Sequence, residues 1–131
     1  MADRLQTQWA PRILSITRII AALIFMEHGT SKLLGFPVGP FTPEAMTLPW
    51  IAGILEIVGG ALLLVGLFTR PVAFVLSGLM AFAYWLVHAP QSAFPLLNGG
   101  DAAILFCFLF LYIAFAGGGP WSVDAIFRGK K

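Results

Sequence analysis

Polar side chains interrupt the long apolar stretches of this chain at a few positions, and these positions are the candidates for chemistry. They are Glu27, His28 and Lys32 in the first stretch, Glu56 in the second, His88 at the end of the third, and Gln91, Asn98 and Asp101 before or at the start of the fourth. Ionisable residues inside membrane-length apolar segments are costly and usually functional. Carboxylates and imidazoles in such places can take up and release protons.

These polar residues fall at similar heights along their segments. At 1.5 Å per helical residue, Glu27 lies about 22 Å beyond Arg12, and Glu56 lies about 10 Å beyond Pro49. Two antiparallel helices in a hydrocarbon core about 30 Å thick then carry both carboxylates at nearly equal depth. We therefore predict one polar layer in the outer third of the membrane, to which all four segments contribute.

The layer has two interpretations. If Glu27 and Glu56 share a site, they cannot both be ionised without cost, and one proton is held there. The predicted proton-carrying catalytic residues are Glu27, His28, Glu56 and Asp101, and the predicted cofactor-binding residues are Lys32, His88, Gln91 and Asn98. The alternative is a network that only locks the helices together. In that case Asp101 caps its helix, Lys32 extends to the interface and His88 stacks near Tyr84.

Composition excludes several classes of protein. Of the 131 residues, 59% are hydrophobic and only 11% charged, whereas soluble domains carry about a quarter charged residues. Four spans of about 20 residues fill most of this length, so we predict a single membrane domain over 1–131. The basic residues form no stripe for nucleic acid. A single cysteine, Cys107, excludes an internal disulfide, a CxxC pair and a cysteine zinc site, and we expect no metal.

Prolines and glycines divide the chain into four apolar helices, roughly 12–34, 49–68, 71–88 and 101–116. The fold class is therefore all-α, an integral membrane four-helix bundle. The fourth segment is short, at about 23 Å. We expect either that it continues into Gly117–Trp121 or that the chain before Asp101 dips into the membrane.

Four further residues are predicted to be structural. Gly59 and Gly60 lie on the same side of their helix as Glu56, and small residues let helix backbones approach in lipid, so this face should meet another helix. Arg18 lies near the other end of the first helix, where its long stem can reach the membrane boundary. Asp124 is its expected partner there.

The basic residues indicate an orientation. Arg4, Arg12, Arg70, Arg128, Lys130 and Lys131 fall on one side of four spans, and Lys32 falls on the other. Short loops rich in lysine and arginine face the cytoplasm. Both termini are therefore predicted to be cytoplasmic, with loops 34–48 and 89–100 outside.

Four motifs, in order, resemble the DoxX family over essentially the whole chain. They are Arg18 with His28-Gly29-x-x-Lys32-Leu33-x-Gly35-Phe36; Glu56-Ile57-Val58-Gly59-Gly60 followed by Gly66-Leu67-x-x-Arg70; Asn98-x-x-Asp101; and Gly117-Gly118-Gly119-Pro120-Trp121-Ser122-Val123-Asp124. The resemblance implies a four-helix inner-membrane protein of bacteria or archaea. The family name comes from a subunit of a thiosulfate:quinone or terminal quinol oxidase system, and other members are linked to thiol and oxidative stress or to quinone tolerance.

Three functions follow from the residues and the resemblance. The first is a quinone-interacting membrane subunit of an oxidoreductase or redox-stress system, with ubiquinone or menaquinone as cofactor. The second is a small proton-coupled transporter or efflux component, and the third is a non-catalytic anchor or assembly partner. The expected partners are the lipid bilayer, a redox partner subunit and further copies of the chain.

The topology can be tested with single cysteines in a Cys107→Ser background. We expect an impermeant maleimide added to intact cells to label positions within 38–46, and to leave positions 70 and 128 unlabelled until the membrane is opened. Labelling at 70 or 128 in intact cells, with none in 38–46, would reverse the orientation.

Overall fold

A computed structural model describes residues 1–129, in which every regular element is a helix and no strand occurs. In chain order the helices are α1 (Ala2–Leu34), α2 (Leu48–Val65), α3 (Thr69–His88), α4 (Pro95–Asn98), α5 (Asp101–Ala116) and α6 (Val123–Gly129). Three of them, α1, α2 and α3, are long and apolar enough to cross a membrane. Helix α5 is apolar but has 16 residues, about 24 Å, which is less than the roughly 30 Å of a hydrocarbon core. Lys130 and Lys131, two of the basic residues used for the orientation, lie outside the described residues.

Helix α1 begins ten residues before its predicted start, because Pro11 does not interrupt it. The turn Leu5–Trp9 is π-helical. A proline cannot donate to the carbonyl four residues earlier, and here that carbonyl belongs to Thr7, inside the wider turn. Helix α2 ends three residues before its predicted end. Gly66 adopts φ 74° there, and its N–H donates to the carbonyl of Leu62 at 2.9 Å, so the helix closes in a left-handed cap.

Helix α5 occupies the predicted range 101–116, but it does not continue into Gly117–Trp121. Gly117 has φ 90° and ψ −172°, which ends the helix. Before α5, the single turn α4 begins at Pro95 and ends at Gly99, whose φ is 70°. The short fourth helix is therefore preceded by a compact turn and followed by a non-helical glycine segment.

The helices pack as two antiparallel pairs, α1 with α2 and α3 with α5, and α2 also contacts α3. Phe25 of α1 closes the bundle against α5, where its ring meets that of Phe110 edge-on with centroids 4.9 Å apart. The buried core residues come from all four long helices: Ala21, Ala22, Phe25, Leu63, Ala73, Leu76, Met80, Phe110 and Ile113. Much of the remaining apolar surface is exposed, as a lipid-facing surface requires.

Gly59 and Gly60 both face neighbouring helices. A Cβ atom on Gly59 would lie 2.7 Å from a methyl carbon of Leu76 on α3. A Cβ on Gly60 would overlap the side chain of Met26 on α1. The two glycines therefore let α2 approach both of its neighbours. Gly78 of α3 provides a contrast, because nothing lies within 4 Å of the position that its Cβ would take.

Leucine at Gly59 or Gly60 should force these helices apart. Overpacking a tight contact typically costs about 1–3 kcal/mol, so each variant should have a lower unfolding temperature in detergent, measured by circular dichroism. Gly78→Leu is the matched control and should unfold at or above the wild-type temperature. If Gly59→Leu and Gly60→Leu unfolded at the same temperature as Gly78→Leu, at or above that of the wild type, the Gly59–Gly60 face would lie in lipid.

Candidate functional site

A buried ion pair joins α1 and α2 within the predicted polar layer. The Nζ atom of Lys32 lies 2.6 Å from Oε1 of Glu56. Glu56 is 2% exposed, and its second oxygen, Oε2, has no hydrogen-bond partner among the described residues. Lys32 thus pairs inward instead of extending freely to the interface. The site offers an ammonium donor and an unpaired carboxylate oxygen side by side.

Close approach of the α1 and α2 backbones allows Lys32 to reach Glu56. A Cβ on Gly29 would lie 2.7 Å from the carbonyl oxygen of Gly53, so the backbones of α1 and α2 approach closely beside Glu56. Lys32 follows Gly29 by three residues and lies on the same face of α1. The Lys32 side chain is 22% exposed, so removing one partner costs less than the roughly 3–5 kcal/mol typical of a fully buried pair. The pair therefore stabilises the packing of α1 against α2 beside Gly29 and Gly53.

His28 connects this pair to α5. Its imidazole meets the ring of Phe106 edge-on, with centroids 6.2 Å apart. The residue is exposed and lies one helical turn before Lys32, on the same face of α1. His28 therefore lies on the side of α1 that carries the ion pair and also contacts α5.

The structure does not bring Glu27 to Glu56. Glu27 is exposed, and it precedes Gly29, the contact point with α2, by two residues. Two helical residues correspond to a rotation of about 200°, so Glu27 points away from α2 even though its height is similar. Asp101 is exposed as well, and no side-chain cap bond is found at the start of α5. The two carboxylates that were expected beside Glu56 are therefore absent from its surroundings.

A second polar cluster lies between α3 and α4. The Nδ1 atom of His88 lies 2.9 Å from the carbonyl oxygen of Asn98, and its ring stacks at 24° to that of Tyr84. Asn98, which is buried, donates to the Ser92 carbonyl at 3.0 Å and accepts the N–H of Gly100 at 2.8 Å. These contacts agree with the alternative in which His88 stacks near Tyr84.

Gln91 is exposed and donates to the carbonyl of Val87 at 2.8 Å, within its own segment. Thus the predicted layer consists of two separate clusters. One joins α1 to α2 through Glu56, and the other joins α3 to α4 through Asn98.

Arg18 anchors the opposite end of the bundle and is fully buried. Its Nε donates to the Gly118 carbonyl at 2.9 Å, and Nη1 donates to the carbonyls of Leu64, at 2.8 Å, and Leu63. Nη2 donates to the Trp121 carbonyl. The guanidinium therefore does not reach the membrane boundary as expected. It binds the last carbonyls of α2 and the segment after α5 at the same time.

Asp124 was the expected partner of Arg18, but its carboxylate binds the start of α3. Oδ1 accepts the N–H of Phe68 at 2.9 Å, and Oδ2 accepts the N–H of Thr69 at 2.8 Å. Partial burial acts to raise the pKa of Asp124, but these hydrogen bonds and the charge of Arg128 outweigh it and hold the pKa below its usual value. Asp124 is a helix cap supplied from a distant part of the sequence.

Arg70 binds the end of another helix. Its place among the cytoplasmic basic residues and in the family motif did not indicate this contact. Its Nη1 donates to the carbonyl of Phe115 and, at 3.4 Å, to that of Ala114. It thereby binds the carbonyl end of α5, where a positive charge also complements the helix dipole. Among the described residues, no group of three or more histidine, cysteine, aspartate or glutamate side chains is arranged to hold a metal ion.

The capping role of Asp124 predicts a pH dependence of stability. Because its pKa in the folded chain lies below the unfolded value of about 3.9, its stabilisation is complete above that value and is lost as the pH falls through the folded pKa. We expect the unfolding temperature of the wild type to drop below about pH 4 more steeply than that of Asp124→Asn, which starts lower. Asp3→Asn is the control and should follow the wild type. Parallel curves for the wild type and Asp124→Asn would contradict the capping role.

Two comparisons with known proteins bear on identity. The family model for DoxX matches residues 13–89. A Haemophilus influenzae protein with the name "Uncharacterized protein" is 41% identical over 129 residues, which cover 94% of this chain and 96% of the relative. No solved structure matches the chain significantly. Together with the apolar helices, these matches show that the chain is a membrane protein of the DoxX family.

Proposed function

We propose that this chain is a multi-pass inner-membrane protein, and that it acts as a quinone-interacting subunit of an oxidoreductase or redox-stress system. In this proposal α1, α2, α3 and α5 are the four spans, and both termini are cytoplasmic. The excess of basic residues at one end supports the orientation. Burial of Phe110 and Ile113 of α5 in the shared core supports the inclusion of this short helix in the bundle.

The observation that carries the proposal is the unpaired Oε2 of Glu56 beside the ammonium of Lys32. A quinone supplies two-electron, two-proton redox chemistry when bound. Its carbonyl oxygens accept hydrogen bonds, and the hydroxyls of the reduced form also donate them. Lys32 can donate to the oxidised form, and Glu56 can accept from the reduced form. Oε2 of Glu56 is enclosed in the structure, so the side chains around it must move apart before a head group can contact both residues.

Protons would reach this pair through His28. His28 is exposed and lies one helical turn before Lys32 on the same face of α1, which suits a proton carrier. Electrons would come from a redox partner subunit, because a chain with a single cysteine cannot run a dithiol cycle. Ubiquinone and menaquinone both fit this scheme.

The remaining candidate residues would contribute less directly to quinone binding and proton exchange. His88, Gln91 and Asn98 would contact a head group only where it extends toward α3 and α4. Asp101, which is exposed, would exchange protons with the outside, whereas Glu27 points away from α2 and would take no part. Further copies of the chain can pack against the exposed apolar faces of the helices.

A non-catalytic membrane anchor is the second candidate function. Asn98 supports it, because both its amide nitrogen and its amide oxygen are already hydrogen-bonded within the chain. In the anchor interpretation, the pair of Lys32 and Glu56 is equally a lock between α1 and α2.

The comparison of Glu56→Gln with Glu27→Gln separates the two functions. Glutamine keeps the shape of glutamate but cannot titrate. Glu56→Gln leaves Lys32 without its counter-charge, so we expect this variant to reach the membrane with a lower unfolding temperature. We also expect it to lose the quinone that co-purifies with the wild type and to fail to complement a deletion strain. Glu27→Gln is the matched control at the same height on an exposed face, and it should behave as the wild type does.

Aspartate at position 56 should retain partial function, because it titrates but is one methylene shorter. For every variant, the ratio of quinone to protein is measured by mass spectrometry. The amount of protein in the membrane is measured by immunoblot. Full complementation by Glu56→Gln, with no quinone in the wild type, would favour the anchor.

A further inference from the structure

A cleft of about 510 Å³ opens at the other end of the bundle, between the α2–α3 turn and α6. Two guanidinium groups, those of Arg70 and Arg128, line it together with the aromatic rings of Phe68 and Phe127. The two phenylalanines are 62% and 58% exposed. The cleft therefore combines positive charge with an apolar rim.

The charges of this cleft are only partly balanced by its own carboxylate. Asp124 also lines the cleft and balances one of the two positive charges, while its two oxygens accept the N–H groups of Phe68 and Thr69. Arg70 uses only Nη1 for the carbonyls at the end of α5, and Arg128 is exposed. Within the part of the chain that the structure describes, the cleft thus retains guanidinium donors for an anion.

We propose that this cleft binds the phosphate group of an anionic membrane phospholipid. Arginine forks match the oxygens of a phosphate, which explains the positive side of the cleft. The exposed rings of Phe68 and Phe127 would contact the start of the acyl chains, at the level where aromatic side chains meet a bilayer surface. A free phosphate ion would gain nothing from this apolar rim.

Native mass spectrometry of the purified protein in mild detergent tests the proposal, with phosphatidylglycerol and phosphatidylcholine offered at equal concentration. We expect the wild type to retain phosphatidylglycerol preferentially. One basic residue near a charged membrane surface contributes about 1 kcal/mol, so Arg128→Gln should weaken phosphatidylglycerol binding about fivefold. Arg128→Lys keeps the charge and should restore most of the binding.

Arg4→Gln is the matched control, because Arg4 is an exposed arginine at the same end of the bundle but outside the cleft. It should bind phosphatidylglycerol as the wild type does. An equal loss for Arg4→Gln and Arg128→Gln, or equal retention of both lipids by the wild type, would overturn the proposal. Displacement of phosphatidylglycerol by excess inorganic phosphate alone would also overturn it, by showing that the rim contributes nothing.

Discussion

Backbone groups at the end of a helix have no partner within the helix, and in an apolar surrounding they have no water either. The structure meets this constraint at the end of α2 with Arg18, whose guanidinium donates to the carbonyls of Leu63 and Leu64. The desolvation cost of a buried charge is offset only where its donors are bonded. Arg18 meets this condition by also binding the carbonyls of Gly118 and Trp121.

The position of the chain after α5 depends on this interaction. Ser15 lies one helical turn before Arg18 and donates its hydroxyl to the same carbonyl, that of Gly118. The segment after α5 is thereby held against α1 and α2, which brings Asp124 to the start of α3. Arg70, next to that start, reaches back to the end of α5. Three helix ends are thus bonded by side chains from other parts of the sequence, so short connections suffice.

Hydropathy, proline and glycine positions were enough to find the helices, since α2, α3 and α5 agree with the predicted segments within a few residues. The start of α1 was wrong because the π-helical turn accommodates Pro11. Heights along the helices were predictable from the rise per residue. Rotation about the helix axis was not, because these helices are apolar on all sides and no polar face marks the interior. The grouping of Glu27 with Glu56 failed for this reason.

The role of Arg18 could not be predicted from the sequence either. An arginine near a helix end usually extends to water, and the sequence does not show that distant carbonyls surround it. The spacing of Lys32 from His28 identified one face of α1. That Lys32 pairs with Glu56, however, depends on the close approach of α1 and α2 at Gly29. Such contacts follow from tertiary packing, which local patterns do not contain.

The ion pair of Lys32 and Glu56 has a consequence for biogenesis. Both residues belong to the first helical hairpin, so each charge has its counter-charge before α3 is synthesised. A neutral hairpin enters a bilayer at lower cost than two separately charged helices. The bonds of Arg18 to Leu63 and Leu64 lie in the same hairpin, whereas those to Gly118 and Trp121 form only with the last part of the chain. The first hairpin can therefore insert with its charges largely satisfied, and the final segment then closes the assembled bundle.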